Sequence, residues 1–339
     1  MTAYPQIRRY PAPLVGRLSV SGPYFVTADG ALVPRKSLTA FTLPKRYATG
    51  RRDDGRRYLD WAASKGANEV RVFTRTNWTG PPGAGVESGW AYDEDACAAV
   101  LTDAADRGLR VELVAHTYPT SVDEGEAHLR RVDALCLAHE NALLEVWNEP
   151  QENAGKDPET LLRDILARYT PQTPGWASGW YTPTPYPAGE SVNYHSPRDN
   201  EWPRKFKDAY EFFTGDGPTQ KFDPKFLGPV MLDEPPRVEE TANADDWRAY
   251  GAGAAFFAAG ATMHGLGLQR CEIPTDPAVL ACIEAFIAGF NDVPVQRYEH
   301  YERGDPPTPS DGGSRRYFRW NAAGEKYEIC VRPYGFRRV

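Results

Sequence analysis

The stretch Ala142-Leu-Leu-Glu-Val-Trp-Asn-Glu-Pro150 decides the fold of this chain. A short apolar run of this kind is typical of a buried parallel strand. Proline cannot donate a hydrogen bond to a neighbouring strand, so Pro150 ends the strand where Glu149 emerges. If strands and helices alternate to form a closed barrel, this strand end lies at the face where catalytic groups sit. The stretch therefore indicates a parallel barrel and a first candidate catalytic residue, Glu149.

The composition is typical of a globular protein and argues against a nucleic-acid binder. The 339 residues are 41% hydrophobic and 25% charged, which suffices for a barrel with a sizeable core. The 39 basic and 46 acidic residues give a net charge of −7, which argues against a nucleic-acid partner and favours a neutral ligand. No apolar stretch approaches the length of a transmembrane helix, so we expect no membrane partner. The 9 Trp and 18 Tyr include many in loops, where their rings can stack on a ligand.

The N-terminal segment shows no secretory signal, because Met1–Tyr10 contains two arginines with no apolar stretch behind them. We expect a cytoplasmic protein, or a secreted one whose signal this chain lacks. The five cysteines show no CxxC or other metal spacing, so we expect no disulfide framework and no metal site. The oligomeric state stays open.

Apolar runs alternate with amphipathic helical patterns through most of the chain. A hairpin is predicted over residues 17–36, with Asp29-Gly30 as a type I′ turn. Eight strands with helices between them favour a closed (β/α)₈ barrel over an open sheet, which would usually carry a glycine-rich phosphate loop after its first strand. The predicted strands are Ser37–Leu43, Glu69–Phe73, Arg110–Ala115, Leu143–Trp147, Trp176–Trp180, Ser191–His195, Pro229–Leu232 and Ala261–His264.

Seven amphipathic helices are predicted between or after these strands. They are Arg52–Lys65, Asp93–Arg107, Glu124–His139, Pro158–Tyr169, Trp202–Phe213, Ala244–Ala259 and Pro277–Phe290. The segment between Trp180 and Ser191 is too rich in proline for a helix, so the fifth crossover helix is expected to be missing or vestigial.

The alternation stops after Asp292, which predicts three parts. Residues 1–36 form an N-terminal extension and hairpin, residues 37–292 the catalytic barrel, and residues 293–339 a short C-terminal β appendage. Strands are predicted in the appendage over Val295–Tyr301, Arg315–Trp320 and Lys326–Arg332.

A second strand also ends in acid and then proline, in Gly228-Pro-Val-Met-Leu-Asp-Glu-Pro-Pro236. The strand count places Glu149 at the fourth barrel strand and Glu234 at the seventh. Barrel closure brings both ends to one rim, so the two glutamates can share a pocket. Glycoside hydrolysis needs such a pair, about 5–5.5 Å apart in a retaining enzyme. Asp233 is a rival to Glu234 because it directly precedes it.

This layout resembles the clan A glycoside hydrolases, the 4/7 barrels that include family 5 cellulases and mannanases. The resemblance rests on Leu144-Glu-Val-Trp-Asn-Glu-Pro150, on Glu234 and on Arg71 in the second strand. It implies a retaining glycosidase that cleaves β-linked oligo- or polysaccharides without a cofactor. Glu149 would be the acid/base, Asn148 would contact the sugar 2-hydroxyl, and Glu234 would be the nucleophile supported by Arg71.

The resemblance also suggests which residues line the sugar pocket. His116 and His195 resemble pocket histidines of these enzymes, and Tyr194 lies beside His195 in Asn193-Tyr-His-Ser-Pro-Arg198, where the family more usually has His-x-Tyr. The family's substrate-platform tryptophan is absent from the eighth strand, where Ala261-Thr-Met-His-Gly265 stands. Three residues are candidates to replace it: Trp176, Trp180 and His264. These departures indicate a divergent member.

Several alternatives remain open from the sequence. Arg71 could make a structural ion pair with Glu145 instead of organising a site. The barrel could bind carbohydrate without turnover, or it could be a metal-dependent hydrolase, although it lacks His-x-His and His-Glu-x-x-His spacing. It has neither a Gly-x-Ser-x-Gly elbow nor a GxxxxGK loop, which argues against serine-hydrolase and nucleotide-binding functions. The sugar, the linkage and endo or exo action are undetermined.

Overall fold

The fold was obtained as a computed structural model, which describes residues 16–76, 89–150, 158–180, 189–195, 228–233, 243–303, 316–330 and 334–339. The predicted nucleophile Glu234 and the predicted helix Trp202–Phe213 lie outside these residues. Most of the proline-rich segment after Trp180 also lies outside them, so the expected loss of the fifth helix stays a prediction. Among the described residues, no helix is long and apolar enough to cross a membrane.

The described part of the chain contains fourteen strands. They are β1 (Ser19–Ser21), β2 (Tyr24–Val26), β3 (Arg35–Thr39), β4 (Glu69–Phe73), β5 (Arg110–His116), β6 (Ala142–Trp147), β7 (Ala177–Trp180), β8 (Ser191–His195), β9 (Val230–Asp233), β10 (Gly260–Met263), β11 (Tyr298–Arg303), β12 (Arg316–Asn321), β13 (Lys326–Cys330) and β14 (Gly335–Arg338). Strands β3 to β10 form a closed parallel barrel in sequence order, with β10 pairing back onto β3. The predicted (β/α)₈ barrel is confirmed.

Seven α-helices lie in the same described residues. They are α1 (Leu43–Ala48), α2 (Arg52–Ser64), α3 (Glu94–Ala105), α4 (Val122–Ala138), α5 (Pro158–Arg168), α6 (Ala244–Phe257) and α7 (Pro277–Asp292). Side chains of Asp93, Ser121, Asn243 and Asp276 accept hydrogen bonds from the first turns of α3, α4, α6 and α7. Helix α1 was not predicted. Leu43 begins this helix instead of ending the first barrel strand, and Pro44 suits its first turn.

The N-terminal hairpin closes the amino end of the barrel. Its paired strands are β1 and β2, which turn at Gly22-Pro23. The Asp29-Gly30 turn joins only an isolated bridge between Val26 and Leu32. The type I′ prediction is wrong, because Gly30 has a positive φ and Asp29 does not. Leu18 and Phe25 pack with three buried residues of the barrel's lower end: Leu143, Met231 and Ala259.

The C-terminal strands β11 to β14 form an antiparallel sheet against the end of α6. The rings of Tyr298 and Tyr317 lie 5.0 Å from Phe256 and 5.2 Å from Phe257, respectively. Strand β14 was not predicted. The first barrel strand begins at Arg35, so the expected boundary between residues 36 and 37 falls inside β3. The division into three parts otherwise stays a prediction.

Helices α6 and α7 touch through glycines. A Cβ at Gly251 would lie 2.1 Å from the carbonyl oxygen of Phe286, and one at Gly289 would lie 2.1 Å from that of Arg248. Main-chain atoms cannot move aside as a side chain can. Glycine inside a helix costs about 1 kcal/mol relative to alanine. The two glycines therefore stabilise the fold through helix contact and not through helix propensity.

We expect Gly289→Ala to lower the free energy of unfolding by about 1–3 kcal/mol, because the added methyl group overpacks this contact. Guanidinium denaturation measures the change. The control is Gly335→Ala, whose Cβ would meet nothing within 4 Å, and which should change stability by less than about 0.5 kcal/mol. Equal free energies of unfolding for Gly289→Ala and wild type would show that α6 and α7 can move apart without loss of stability.

Candidate active site

The barrel interior is polar, whereas branched apolar side chains usually fill such a barrel. Alternate residues of each strand point inward, and several of these positions carry charged or amide groups. None of them is more than 2% exposed. They are Arg35, Glu69, Arg71, Glu112, Glu145, Asn193, His195 and Asp233.

Arg71 lies at the centre of the half of this network that is nearer the carboxyl ends of the strands. Its guanidinium donates two hydrogen bonds of 2.7 Å to the Glu145 carboxylate and one of 2.8 Å to the side-chain oxygen of Asn148. Its Nε is 3.4 Å from Oδ2 of Asp233. Arg71 therefore makes the ion pair with Glu145 that the sequence suggested, and it also contacts Asn148 after β6 and Asp233 at the end of β9.

In the half of the network that is nearer the amino ends of the strands, the central residue is Arg35. This side chain donates to Glu69 at 2.6 Å and to Glu112 at 2.7 Å. The Asn193 amide links the two halves, because it donates to Glu112 at 2.9 Å and to Glu145 at 2.8 Å. Hydrogen bonds from Arg35 and Asn193 therefore link β3, β4, β5, β6 and β8 through the barrel interior.

The network holds four carboxyl groups but only two arginines. Although burial opposes it, the charges of Arg35 and Arg71 lower the pKa of Glu112. Burial raises the pKa of Asp233 to about 6, against the attraction of Arg71 and His195. Neither oxygen of Asp233 has a hydrogen-bond partner among the described residues. Burial also raises the pKa of Glu69, so Asp233 is one of two network carboxyl groups whose pKa is shifted upward.

Glu149 occupies a strained position at the end of β6. Its φ is +46°, a left-handed conformation that a non-glycine residue before proline rarely adopts. The Asn148 amide donates to Oε2 of Glu149 at 3.3 Å, and the Asn148 main-chain N–H donates to the carbonyl of His116 at 2.9 Å. The Glu149 side chain is 18% exposed, in contrast to the buried network below it. Strain of this kind is concentrated at functional sites.

His195 lies between Glu149 and the buried acids. Its Nδ1 is 3.4 Å from Oε1 of Glu149, and its Nε2 is 3.6 Å from Oδ2 of Asp233 and 4.0 Å from Oε1 of Glu145. Gly179 of β7 leaves room for this arrangement. A Cβ there would lie 2.5 Å from Oε1 of Glu145 and 2.9 Å from Nε2 of His195.

Two other predicted histidines also lie at the carboxyl ends of the strands. His116 is fully buried, its Nδ1 is 3.3 Å from the Arg75 guanidinium, and burial lowers its pKa to about 3, so it is neutral. The half-buried His264 follows β10, with its Nδ1 3.3 Å from the Thr39 hydroxyl and its ring 5.3 Å from Phe41. Arg71 lies over the same Phe41 ring at 5.5 Å.

Two predicted aromatic residues do not reach the site. Trp176 precedes β7 at the amino end of the barrel, opposite the site, and is a core residue with 8% exposure. Tyr194 lies between the inward Asn193 and His195, so it points out of the barrel into the surrounding core. Both substrate-binding expectations are corrected accordingly. Trp180 ends β7 at the rim, but its side chain and Glu234 are outside the described part of the molecule.

Glu112 and Asn193, which were not predicted from the sequence, also belong to the polar network of the site. Both lie at inward positions in the middle of fully buried strands, as Arg71 does in its own strand. A polar residue at an inward position of an apolar strand is the signal that would have found them.

Three carboxyl groups of the network have the donor chemistry of a cation site. Oxygens of Glu112, Glu145 and Asp233 lie within 4.8 Å of one another. Arg71 contacts all three, at 3.5, 2.7 and 3.4 Å respectively. Its guanidinium already supplies positive charge at this place, so the cluster supports no metal-dependent mechanism.

A cavity of about 320 Å³ opens beside the ends of β4 and β5. Trp90 and the half-exposed Tyr118 supply its aromatic walls, and an ion pair of Arg75 with Glu124 lies at its edge. Aromatic rings next to charged donors and acceptors are suited to a polyhydroxylated ligand.

No family model and no curated protein matches this sequence. Solved structures do match its fold. A glycoside hydrolase family 5 protein from Bacteroides vulgatus superposes with a TM-score of 0.59 at 14% identity, covering 95% of this chain and 82% of that one. A β-glucanase from Saccharophagus degradans gives 0.54 at 13% identity, with 85% and 97% covered. An endo-1,4-β-mannanase from Rhizomucor miehei gives 0.54 at 10% identity, with 82% and 100% covered. The resemblance inferred from the sequence is confirmed at the level of the fold.

We expect Asp233→Asn to stabilise the protein above about pH 6 by about 1–3 kcal/mol, because it removes a buried charge. A carboxyl with a raised pKa costs the fold stability as the pH rises through that pKa. The gain should therefore disappear at about pH 4, where wild-type Asp233 is protonated. Urea denaturation at the two pH values measures it. A loss of stability at high pH would mean that the contact with Arg71 outweighs desolvation.

Proposed function

We propose that this protein is a retaining glycoside hydrolase that cleaves β-linked oligo- or polysaccharides. The observation that carries the proposal is the strained, partly exposed Glu149 at the rim of a (β/α)₈ barrel, with Asn148 and Arg71 fixed beside it. The likeness of the fold to family 5 hydrolases supports it. Because those neighbours include a β-glucanase and an endo-1,4-β-mannanase, β-1,4-linked glucans and mannans are the first substrates to test.

In this mechanism Glu149 donates a proton to the glycosidic oxygen while Glu234 attacks the anomeric carbon. The bond to the leaving group breaks and a glycosyl ester of Glu234 forms. Glu149, now a carboxylate, removes a proton from water, and the hydroxide attacks the anomeric carbon and releases Glu234. Asn148 would hold the sugar 2-hydroxyl, and its bond to Arg71 fixes its orientation.

The nucleophile has a second candidate, Asp233, because its carboxyl group lies at the site against Arg71 and His195. A nucleophile has to present an oxygen to the anomeric carbon, and both oxygens of Asp233 are buried. This favours Glu234, which directly follows the strand that ends at the site.

A barrel that binds carbohydrate without turnover is the alternative from another functional class. Affinity electrophoresis in β-glycan gels detects binding, and release of reducing ends detects hydrolysis. Retarded migration without reducing ends would support the binding protein and overturn the enzyme.

Substitution of the two glutamates tests the proposed roles. Glu149→Gln and Glu234→Gln should each lower kcat by about 10²-fold or more on the β-glycan that proves to be the substrate, with the fold intact by circular dichroism. Glu284→Gln, which alters a 60% exposed carboxylate on α7, is the control and should keep full activity. Full activity of Glu234→Gln would overturn its assignment.

Azide can restore the activity of a variant that lacks a catalytic carboxylate, and the anomer of the glycosyl azide formed identifies the role of the missing residue. With an activated aryl glycoside, azide should restore turnover of Glu149→Ala and give a β-glycosyl azide, because the covalent intermediate still forms. Rescue of the nucleophile variant should give the α-glycosyl azide by direct displacement. An α-azide from Asp233→Ala, and none from Glu234→Ala, would make Asp233 the nucleophile.

A further inference from the structure

Asp233 is a buried carboxyl group that the two-glutamate mechanism does not use. It is 2% exposed and inside the barrel, where an ionised carboxylate destabilises the fold unless ion pairs and hydrogen bonds compensate its charge. Proteins keep an uncompensated buried carboxylate where it has a function. Its one arginine contact among the described residues is long, at 3.4 Å, because Arg71 directs its hydrogen bonds to Glu145 and Asn148 instead. The position therefore calls for another explanation.

The explanation lies in the imidazole next to Asp233. Nε2 of His195 faces carboxyl oxygens of Asp233 at 3.6 Å and of Glu145 at 4.0 Å. Negative oxygens on this side favour the tautomer that carries its hydrogen on Nε2. Nδ1 then has a lone pair, and it faces Oε1 of Glu149 at 3.4 Å. These contacts are slightly longer than hydrogen bonds, as catalytic contacts often are before substrate binds.

We propose that Asp233 and His195 form a positioning pair that holds the acid proton of Glu149. Asp233 keeps the hydrogen of His195 on Nε2, and Nδ1 accepts a hydrogen bond from the protonated carboxyl of Glu149. This inference rests on the acid/base role proposed for Glu149. Neither member of the pair gains or loses a proton over the reaction, since Glu149 delivers its proton to the leaving group and recovers one from water.

The pair makes the acid function depend on pH. In the described part of the chain, the charged and titratable groups that act on Asp233 are Arg71 from β4, Glu112 from β5, Glu145 from β6 and His195 from β8. As the pH falls below about 6, Asp233 becomes protonated and no longer favours hydrogen on Nε2. The tautomer with hydrogen on Nδ1 then gains population, although Glu145 still faces Nε2, and its hydrogen stabilises the Glu149 carboxylate instead of the acid. Cleavage that needs proton donation should weaken on this acidic side.

The tautomer of His195 can be observed without any substrate, by long-range ¹H–¹⁵N correlation spectra of uniformly ¹⁵N-labelled protein. The chain has six histidines, and the signals lost in His195→Gln identify the imidazole of interest. We expect wild type at about pH 7.5 to carry the hydrogen on Nε2, and Asp233→Asn to shift it toward Nδ1. Asp292→Asn, at an acid paired with Arg248 on the surface, is the control and should leave the signals unchanged. Hydrogen on Nδ1 in wild type, or an unchanged tautomer in Asp233→Asn, would overturn the pair.

Substrates whose leaving groups differ in acidity test the effect of the Asp233–His195 pair on the reaction. The probes are β-cellobiosides and β-mannobiosides of phenol, which needs proton donation, and of 2,4-dinitrophenol, which does not. Asp233→Asn should lower kcat/KM for the phenyl glycoside by about 10–100-fold and that for the dinitrophenyl glycoside by less than about threefold. An equal loss on both probes would make Asp233 a nucleophile or a structural residue and contradict the proposal.

Glu149→Ala separates failure of the pair from failure of the proposed function. If Glu149→Ala lowers kcat/KM for the phenyl glycoside and not for the dinitrophenyl glycoside, the acid/base role stands. A missing leaving-group effect in Asp233→Asn then counts against the pair only. If Glu149→Ala shows no such selectivity, the proposed role of Glu149 itself fails.

Discussion

The guanidinium of Arg71, buried inside the barrel, is the interaction on which the rest of the site depends. It joins β4 to three other strands, because Glu112 comes from β5, Glu145 and Asn148 come from β6 and its end, and Asp233 comes from β9. Removing one partner of a buried ion pair costs about 3–5 kcal/mol, since the remaining charge loses its compensation. Loss of Arg71 would leave several carboxyl groups in that state. The same contacts that stabilise the barrel interior therefore fix the candidate catalytic side chains.

The distribution of charge suggests that the interior is not arranged for stability alone. Asn193 and the two arginines donate hydrogen bonds of 2.7–2.9 Å to Oε1 of Glu112 and to both oxygens of Glu145, but Asp233 lies at longer range from its positive neighbours. Glu149 likewise keeps a backbone conformation that costs about 1–3 kcal/mol. Poorly compensated charge and backbone strain occur side by side at one rim. Proteins retain such features where function needs them.

How far the sequence predicted the structure depended on the kind of signal. The barrel strands β4, β5, β6 and β8 were located to within a residue or two, because buried parallel strands are short apolar runs with clear ends. Leu43 was misplaced in a strand, since an apolar residue next to a proline suits either the end of a strand or the start of a helix. Trp176 and Tyr194 were expected at the pocket because they are aromatic. Which way a side chain points follows from strand register and direction, which composition does not reveal.

The alternation of the barrel strands with helices, and an acid at the ends of β6 and β9, could be predicted from the sequence alone. These features are local, since each depends on residues within a few positions of one another. Only the tertiary structure decided which of the polar groups meet. Arg71 reaches Glu145 across 74 positions and Asn148 across 77, and His195 comes between Glu149 and Asp233. Such contacts exist only once the barrel has closed, because closure alone brings the inward side chains of distant strands together in one small, water-poor space.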